Sequence, residues 1–304
     1  MLQSFDERNR DLIVNVGGRL THRDEAAVSP FDSSVQGGDA VWEGLRLYDG
    51  RIFRLTEHLA RLRRSATALA FSSIPSDAAI TEQIRLTVAA NGMHTDVHIR
   101  LTLTRGVKVT SGMDPRLNTA GPTLIVLAEF KSPVYSSAGI SLMTSSVRRH
   151  RPDSLDPAIH HNNLLTSIMA KLEANAAGAD DALMLDDLGF VAETNATHVF
   201  LVQAGVVCTP TTRACPAGIT RSAVLELCLS LGLSGQIGDL RLTDVYAADE
   251  AFVTGTMGGL APVVAVDGRR IGSGRPGPVT ARLTSAYAEL AATTGVPVVL
   301  RERL

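Results

Sequence analysis

The dipeptide Asp49-Gly50 most constrains how this chain can fold. It lies between DAVWEGLRLY (39–48) and RIFRL, and two such residues between apolar runs specify a tight antiparallel hairpin. Gly17-Gly18 divides residues 12–20 (LIVNVGGRL) in the same way, and Asp267-Gly268 follows a strand expected at 262–266. Helical periodicity interrupts these antiparallel pieces. Thr56 to about Leu69 carries Leu59, Leu62, Ala66 and Leu69 at helical spacing, with Thr56 as its expected cap. A second amphipathic helix spans 76–91, and strands follow at 96–104 and 123–130. The result is an α+β unit over residues 1–130.

Residues 131–138 (KSPVYSSA) read as a linker, and 139–304 as a second unit. Its expected strands lie at 139–145, 181–186, 190–193, 198–203, 250–254 and 262–266. Helices are expected at 163–177, 218–232, 243–247 and 277–294. The first of these has Leu164, Ile168, Leu172 and Ala176 at a spacing of four. A length of 304 residues suffices for two cores.

Charge and cysteine content narrow the function class. With 29 Lys+Arg against 31 Asp+Glu, bulk positive charge for binding nucleic acid is absent. No run approaches the ~18–20 apolar residues of a membrane helix. The first residues, MLQSFDERNRDLIV, place charges where a signal peptide needs an apolar core. Cys208, Cys215 and Cys228 are odd in number and lack metal-ligand spacing. A cytoplasmic protein without a disulfide framework is expected. Only Lys108, Lys131 and Lys171 are lysines.

Four local features carry potential chemistry. Gly218-Ile219-Thr220-Arg221 opens a helix, whose free N–H groups suit a phosphate. Thr254-Gly255-Thr256 ends a strand with small hydroxyl residues. Glu193 ends another within GFVAETNATHVF, and Arg61 lies on the helix after the Asp49-Gly50 hairpin. Each has an ordinary reading when taken alone: a hydrated helix start, a turn, a solvated carboxylate and a wet-face arginine.

In sequence order, the runs GGDAVWEGLRLYDGRIFRLTEHLARLRRSA, AKLEANAAGADDALMLDDLGFVAETNATHVF, PAGITRSAVLEL and AADEAFVTGTMGGLAPVVAVDGRRIGSGRPGPVT resemble class IV (fold-type IV) pyridoxal-phosphate enzymes. That family includes branched-chain and D-amino-acid aminotransferases and aminodeoxychorismate lyases. The resemblance covers about residues 12–290. It implies a small N-terminal α/β domain and a larger C-terminal domain with a barrel-like β core, the cofactor lying in the cleft between them. It also implies a homodimer. By the same resemblance, Arg61, Ile219, Thr220 and Thr256 match the phosphate ligands. Glu193 matches the acid that keeps the pyridine nitrogen protonated, and Arg100 an arginine near the substrate carboxylate.

The family's Schiff-base lysine sits in a P-x-I-K-S-x-N-Y-L pattern. Here that stretch is Pro157-Ala158-Ile159-His160-His161-Asn162-Asn163-Leu164-Leu165, which places His160 at the lysine position. A register one residue different puts Ile159 there. Lys171 matches a non-catalytic lysine, and neither Lys108 nor Lys131 is a replacement. Imidazole forms no stable Schiff base, but its ordinary pKa of about 6.5 suits proton transfer. The reading is an enzyme that binds pyridoxal or pyridoxamine 5'-phosphate non-covalently, with His160 as acid/base. Its substrate would be a small amino or keto carboxylate. Two alternatives stand beside it: an ordinary branched-chain-type transaminase, and a cofactor-free enzyme or non-catalytic binding protein on the same scaffold. Other departures are His198 for a common Asn, Thr194 for Gly, Pro216 for Leu and Gly259 for an acid. The paired His160-His161 lacks a third ligand, so no metal is expected.

Overall fold

The computed structural model describes residues 3–299. The described chain divides into two units. One comprises residues 3–132, Ile159–Asn163 and 291–299; the other comprises Pro133–Ala158 and Leu164–Leu290.

The first unit is built on strands β1 (Ile13–Val16), β2 (Arg19–His22), β3 (Ala40–Tyr48), β4 (Arg51–Ile52), β5 (Val97–Thr104) and β6 (Thr123–Phe130). Its helices are α1 (Ser33–Gly37), α2 (Leu55–Ala68) and α3 (Asp77–Ala90). With β16 (Val296–Pro297) the strands form an antiparallel sheet in the order β16-β4-β3-β5-β6-β1-β2. The Asp49-Gly50 turn joins β3 to β4, both residues having positive φ (45° and 76°), as a type I′ hairpin requires.

Alternation on β3 decides what faces the core. Val41, Leu45 and Leu47 are fully buried, and each side chain buried in this way contributes about 1.5–3 kcal/mol. Glu43 shares their face, since residues two apart on a strand point the same way, and it too is fully buried. The opposite face carries Trp42, Gly44 and Arg46. Gly44 pairs with Arg100 and Arg46 with His98 on β5, which brings those side chains to Trp42's face.

α2 turns Leu55, Leu59, Leu62 and Ala66 into the core, and with them His58, Arg61 and Ser65. It begins at Leu55, not at a Thr56 cap. Arg54 adopts the left-handed conformation at φ 54°, its side chain caps nothing, and its carbonyl accepts from His58 N at 3.0 Å. α3 does begin behind a side-chain cap, as Ser76 accepts from Ala79 N at 3.2 Å.

The second unit contains β7 (Ile140–Thr144), α4 (Leu165–Ala176), β8 (Asp181–Leu185), β9 (Val191–Thr194), β10 (His198–Gln203) and β11 (Val206–Pro210). There follow α5 (Ile219–Ser230), β12 (Gly235–Gly238), α6 (Leu242–Tyr246), β13 (Glu250–Gly255), β14 (Gly259–Val266) and β15 (Arg269–Arg270). α7 (Pro278–Thr293) runs beyond the unit's end at Leu290. The sheet follows β12-β11-β10-β13-β14-β7-β8-β9, with β15 on β14. β9 returns toward β10, where Thr194 N donates to the Thr197 carbonyl at 2.7 Å, so the sheet curls into the expected barrel-like core. Leu183, Val191, Leu201, Val253, Val263 and Val266 fill it.

The apolar periodicity that predicts α4 does not mark a buried face. Leu165, Ile168, Met169 and Leu172 are exposed, while Ala170 and Ala174 pack inward against Ala182 and Met184. No helix among the described residues is long and apolar enough to cross a membrane.

Candidate functional site

Each unit gathers its own cluster of polar side chains. In the first unit, Glu43 is the centre. Arg61 donates through Nε to Oε1 at 2.8 Å and through Nη2 to Oε2 at 2.7 Å. His58 Nδ1 lies 2.6 Å from Oε2, and His160 Nδ1 lies 3.6 Å from Oε1. Burial pushes the Glu43 carboxyl upward, but Arg61 and His160 outweigh it and hold the group well below the usual carboxylate range.

His160 sits in the Ile159–Asn163 segment. Its backbone N donates to Ser65 Oγ at 3.0 Å, and its carbonyl accepts from Trp42 N at 3.0 Å. The imidazole stacks on Trp42 with ring centroids 4.2 Å apart. Its Nδ1 is 2.5 Å from the Trp42 carbonyl oxygen. A carbonyl oxygen can only accept, so Nδ1 carries a hydrogen and the lone pair of the neutral ring is on Nε2. Burial, followed by the Arg61 charge, pushes the His160 pKa below its ordinary value and favours that neutral form.

Arg100 lies over the Trp42 ring at 3.5 Å and donates to Asn162 Oδ1 at 2.9 Å. Burial lowers its pKa to about 10, so it remains cationic at neutral pH. The structure therefore brings three sequence-predicted residues, Arg61, Arg100 and His160, into one group around Glu43 and Trp42.

The second unit gathers the rest. Glu193 is the penultimate residue of β9, and its Oε1 pairs with Arg149 Nη2 at 2.8 Å. Oε2 lies 3.8 Å from Nδ1 of His198, the first residue of β10. The same Nδ1 lies 3.8 Å from Cys215 Sγ. Burial, then the Glu193 charge, pushes the Cys215 thiol pKa strongly upward. α5 begins behind Gly218, which offers no side-chain cap, so Ile219 and Thr220 occupy the first turn, where intrahelical partners for N–H are lacking. A Cβ on Gly218 would lie 2.3 Å from the His198 ring, which places the start of α5 against that histidine. His198 in turn pairs across the sheet with Thr254. Thr254 is fully buried, and its hydroxyl has no hydrogen-bond partner among the described residues. Thr256 lies two residues on, half-buried in the β13–β14 turn.

Sequence reading missed Glu43, His58, Trp42, Arg149 and Cys215 as members of these groups. A signal existed for Glu43, an acid at a core-facing position of an alternating strand. Arg149 and Cys215 meet Glu193 only through tertiary packing and leave no local spacing to read.

A sequence profile of the family described as Amino-transferase class IV matches residues 40–266. Branched-chain-amino-acid aminotransferase-like protein 2 of Arabidopsis thaliana is 53% identical over 95% of this chain. The chain spans about half of that relative's length, the match covering 52% of it. A putative branched-chain-amino-acid aminotransferase of Methanocaldococcus jannaschii is 37% identical over 94% of this chain and 98% of its own. The crystal structure of a T.th. branched-chain amino acid aminotransferase complexed with N-(5'-phosphopyridoxyl)-L-glutamate is similar in fold. Its TM-score is 0.87 at 32% identity, covering 93% of this chain and 95% of that one. By its curled second sheet, the family profile and these relatives, the chain belongs to the class IV aminotransferase family and has the fold-type IV architecture.

Proposed function

We propose that this protein is an aminotransferase-family enzyme that holds pyridoxal or pyridoxamine 5'-phosphate non-covalently and uses His160 as its acid/base. The observation that carries the proposal is the His160 imidazole, fixed by Trp42 with its Nε2 lone pair unprotonated, at the position where the family resemblance expects an amine.

The second unit's residues fit the phosphate end of such a group. An uncapped helix start and the buried Thr254 hydroxyl, without a hydrogen-bond partner among the described residues, both suit an anion with several acceptor oxygens. Residues assigned to the phosphate are Arg61, Ile219, Thr220 and Thr256, with Arg61 kept in a fixed orientation by Glu43. Glu193, oriented by Arg149, would hold a proton on the ring nitrogen. A covalent link is what the chain does not fit. The Lys171 amine is spent on the Asp180 carbonyl and on Asp181, the latter at 3.1 Å. Lys108 donates to the Gly112 carbonyl. Lys131 follows β6 at the edge of the first unit.

When bound, the group supplies an electron-withdrawing ring that stabilises negative charge at the substrate carbon attached to nitrogen. His160 Nε2 would accept and return the proton at that carbon, while Nδ1–H on the Trp42 carbonyl keeps the ring from rotating. Arg100 provides a cation for a substrate carboxylate.

A homodimer accompanies this reading. The exposed stripe of Leu165, Ile168, Met169 and Leu172 on α4 supports a covered face, and sedimentation equilibrium tests it. Three unpaired, buried cysteines support a reducing, cytoplasmic location.

The test uses pyridoxal phosphate, borohydride and intact mass. Wild-type protein should bind the cofactor, release it on dialysis and carry no reduced adduct. His160→Lys should gain one covalent equivalent. Absence of binding by either protein, or a wild-type adduct on any of the three lysines, overturns the proposal.

A further inference from the structure

We propose that Glu193, His198 and Cys215 form a binding site for a thiophilic divalent cation of the zinc class. One ligand atom from each lies within 4.8 Å of the others. His198 Nδ1 is 3.8 Å from both Cys215 Sγ and Glu193 Oε2. A point equidistant from three atoms so placed lies no more than about 2.5 Å from each, against zinc bonds of ~2.0–2.3 Å to nitrogen, oxygen and sulfur. Closing the site asks for movements of a few tenths of an ångström.

The convergence is on a single atom, and this separates a cation site from a proton relay. A cysteine–histidine–carboxylate relay needs thiol and carboxylate on different ring nitrogens, one to take the proton and one to orient the ring. Here both face Nδ1. A point between three donors is what a metal ion occupies.

The surroundings orient the donors. Arg149 takes Glu193 Oε1, which directs Oε2 toward monodentate binding. The same arginine donates from Nε to the Ala214 carbonyl at 3.2 Å and from Nη1 to Ser167 Oγ at 3.2 Å, which ties the residue before Cys215 to Glu193. Outer groups that fix ligand orientation in this way are a regular part of metal sites. Cys215 and Glu193 are buried at 2% and 7% exposure, which keeps competing water few. One thiolate, one imidazole and one carboxylate select zinc or cobalt over magnesium or calcium. On binding, the Cys215 S–H bond breaks, its proton goes to solvent, and sulfur keeps the electron pair that forms the metal bond; water fills the fourth position. No oxidation state changes.

The inference stands apart from the proposed cofactor chemistry, although Glu193 belongs to both. The cation and the cofactor ring are therefore alternative partners for one carboxylate.

Chelator-stripped full-length protein titrated with cobalt(II) tests it. One equivalent should bind, with a thiolate-to-cobalt charge-transfer band, visible d–d bands and release of one proton; zinc should bleach the bands. Cys215→Ser should lose the charge-transfer band. His198→Asn, which installs the residue common in the family, should keep the folded circular dichroism spectrum and lose the stoichiometric site. Absence of the charge-transfer band in wild-type protein, or cobalt binding unchanged in both variants, overturns the proposal. Pyridoxal phosphate binding by metal-free protein is read separately, so failure of either idea is recognised without the other.

Discussion

Glu43→Gln is the most informative single change in the first unit. The carboxylate is fully buried and accepts two bonds from the Arg61 fork, at 2.8 and 2.7 Å, with His58 at 2.6 Å. The amide keeps the shape and can still accept at one oxygen. It removes the negative charge and turns an NH₂ toward groups that themselves donate. A hydrogen bond to a charged group contributes about 1.5–3 kcal/mol, and breaking a buried ion pair by removing one partner costs about 3–5 kcal/mol. About 3 kcal/mol is the expected loss, a large share of the ~5–15 kcal/mol by which domains are stable. Trp42 is the chain's single tryptophan and stacks on His160 beside this network, so its fluorescence during urea unfolding reports on the right unit.

Two controls separate the network from a mere loss of shape. In Glu43→Leu with Arg61→Met both charges leave together, so the double variant should cost less than the sum of the single variants, with coupling of about 2 kcal/mol. Acidification gives the second. The folded Glu43 pKa lies below its unfolded value of about 4.3, so its contribution is complete above that pH and is lost as pH falls through the folded value. Glu43→Gln should lack that part of the acid limb. A loss below about 1 kcal/mol, or strictly additive costs in the double variant, would refute the argument.

Two further changes test other parts of the reasoning. Burial first, then the charges of Lys131, Arg100 and Arg46, lowers the pKa of His98 to about 3. The unfolded imidazole takes up its proton near pH 6.5, so stability falls between about pH 6.5 and 3, by up to about 1.4 kcal/mol per pH unit. His160, lowered for the same leading reason, adds to that limb. His98→Leu should flatten the slope in urea melts at pH 5–6, and an unchanged slope would count against a neutral His98. Gly218 has φ −71° and ψ 128°, which alanine adopts freely, so any cost of Gly218→Ala is steric. Its Cβ would meet the His198 ring at 2.3 Å, and overpacking of this kind costs about 1–3 kcal/mol. A neutral thermal melt would mean that His198 does not lie against α5.

What the sequence disclosed follows from how local each determinant is. The β3–β4 hairpin was readable because Asp49-Gly50 encodes the left-handed turn by itself, and α3 because its amphipathic pattern lies within one continuous segment. The start of α2 was not, because Arg54 takes a left-handed conformation that no propensity assigns to arginine. β12 (GQIG) pairs in parallel with β11 as a mostly exposed strand without alternation, and so gives no period to detect. The α4 stripe was read correctly as helix, but periodicity reports an apolar face without saying what covers it. The site divides along the same line. Arg61, Glu193 and the α5 start lie in contiguous motifs. The groups that decide their chemistry lie far away in sequence: Glu43 from β3 against Arg61, and Arg149 and Cys215 against Glu193. Lone motif residues therefore show where an anion or ring nitrogen could be met. Their protonation and orientation belong to partners that only the folded chain brings near, as the Trp42 carbonyl takes the His160 Nδ1 hydrogen and burial with the Arg61 charge favours the neutral ring.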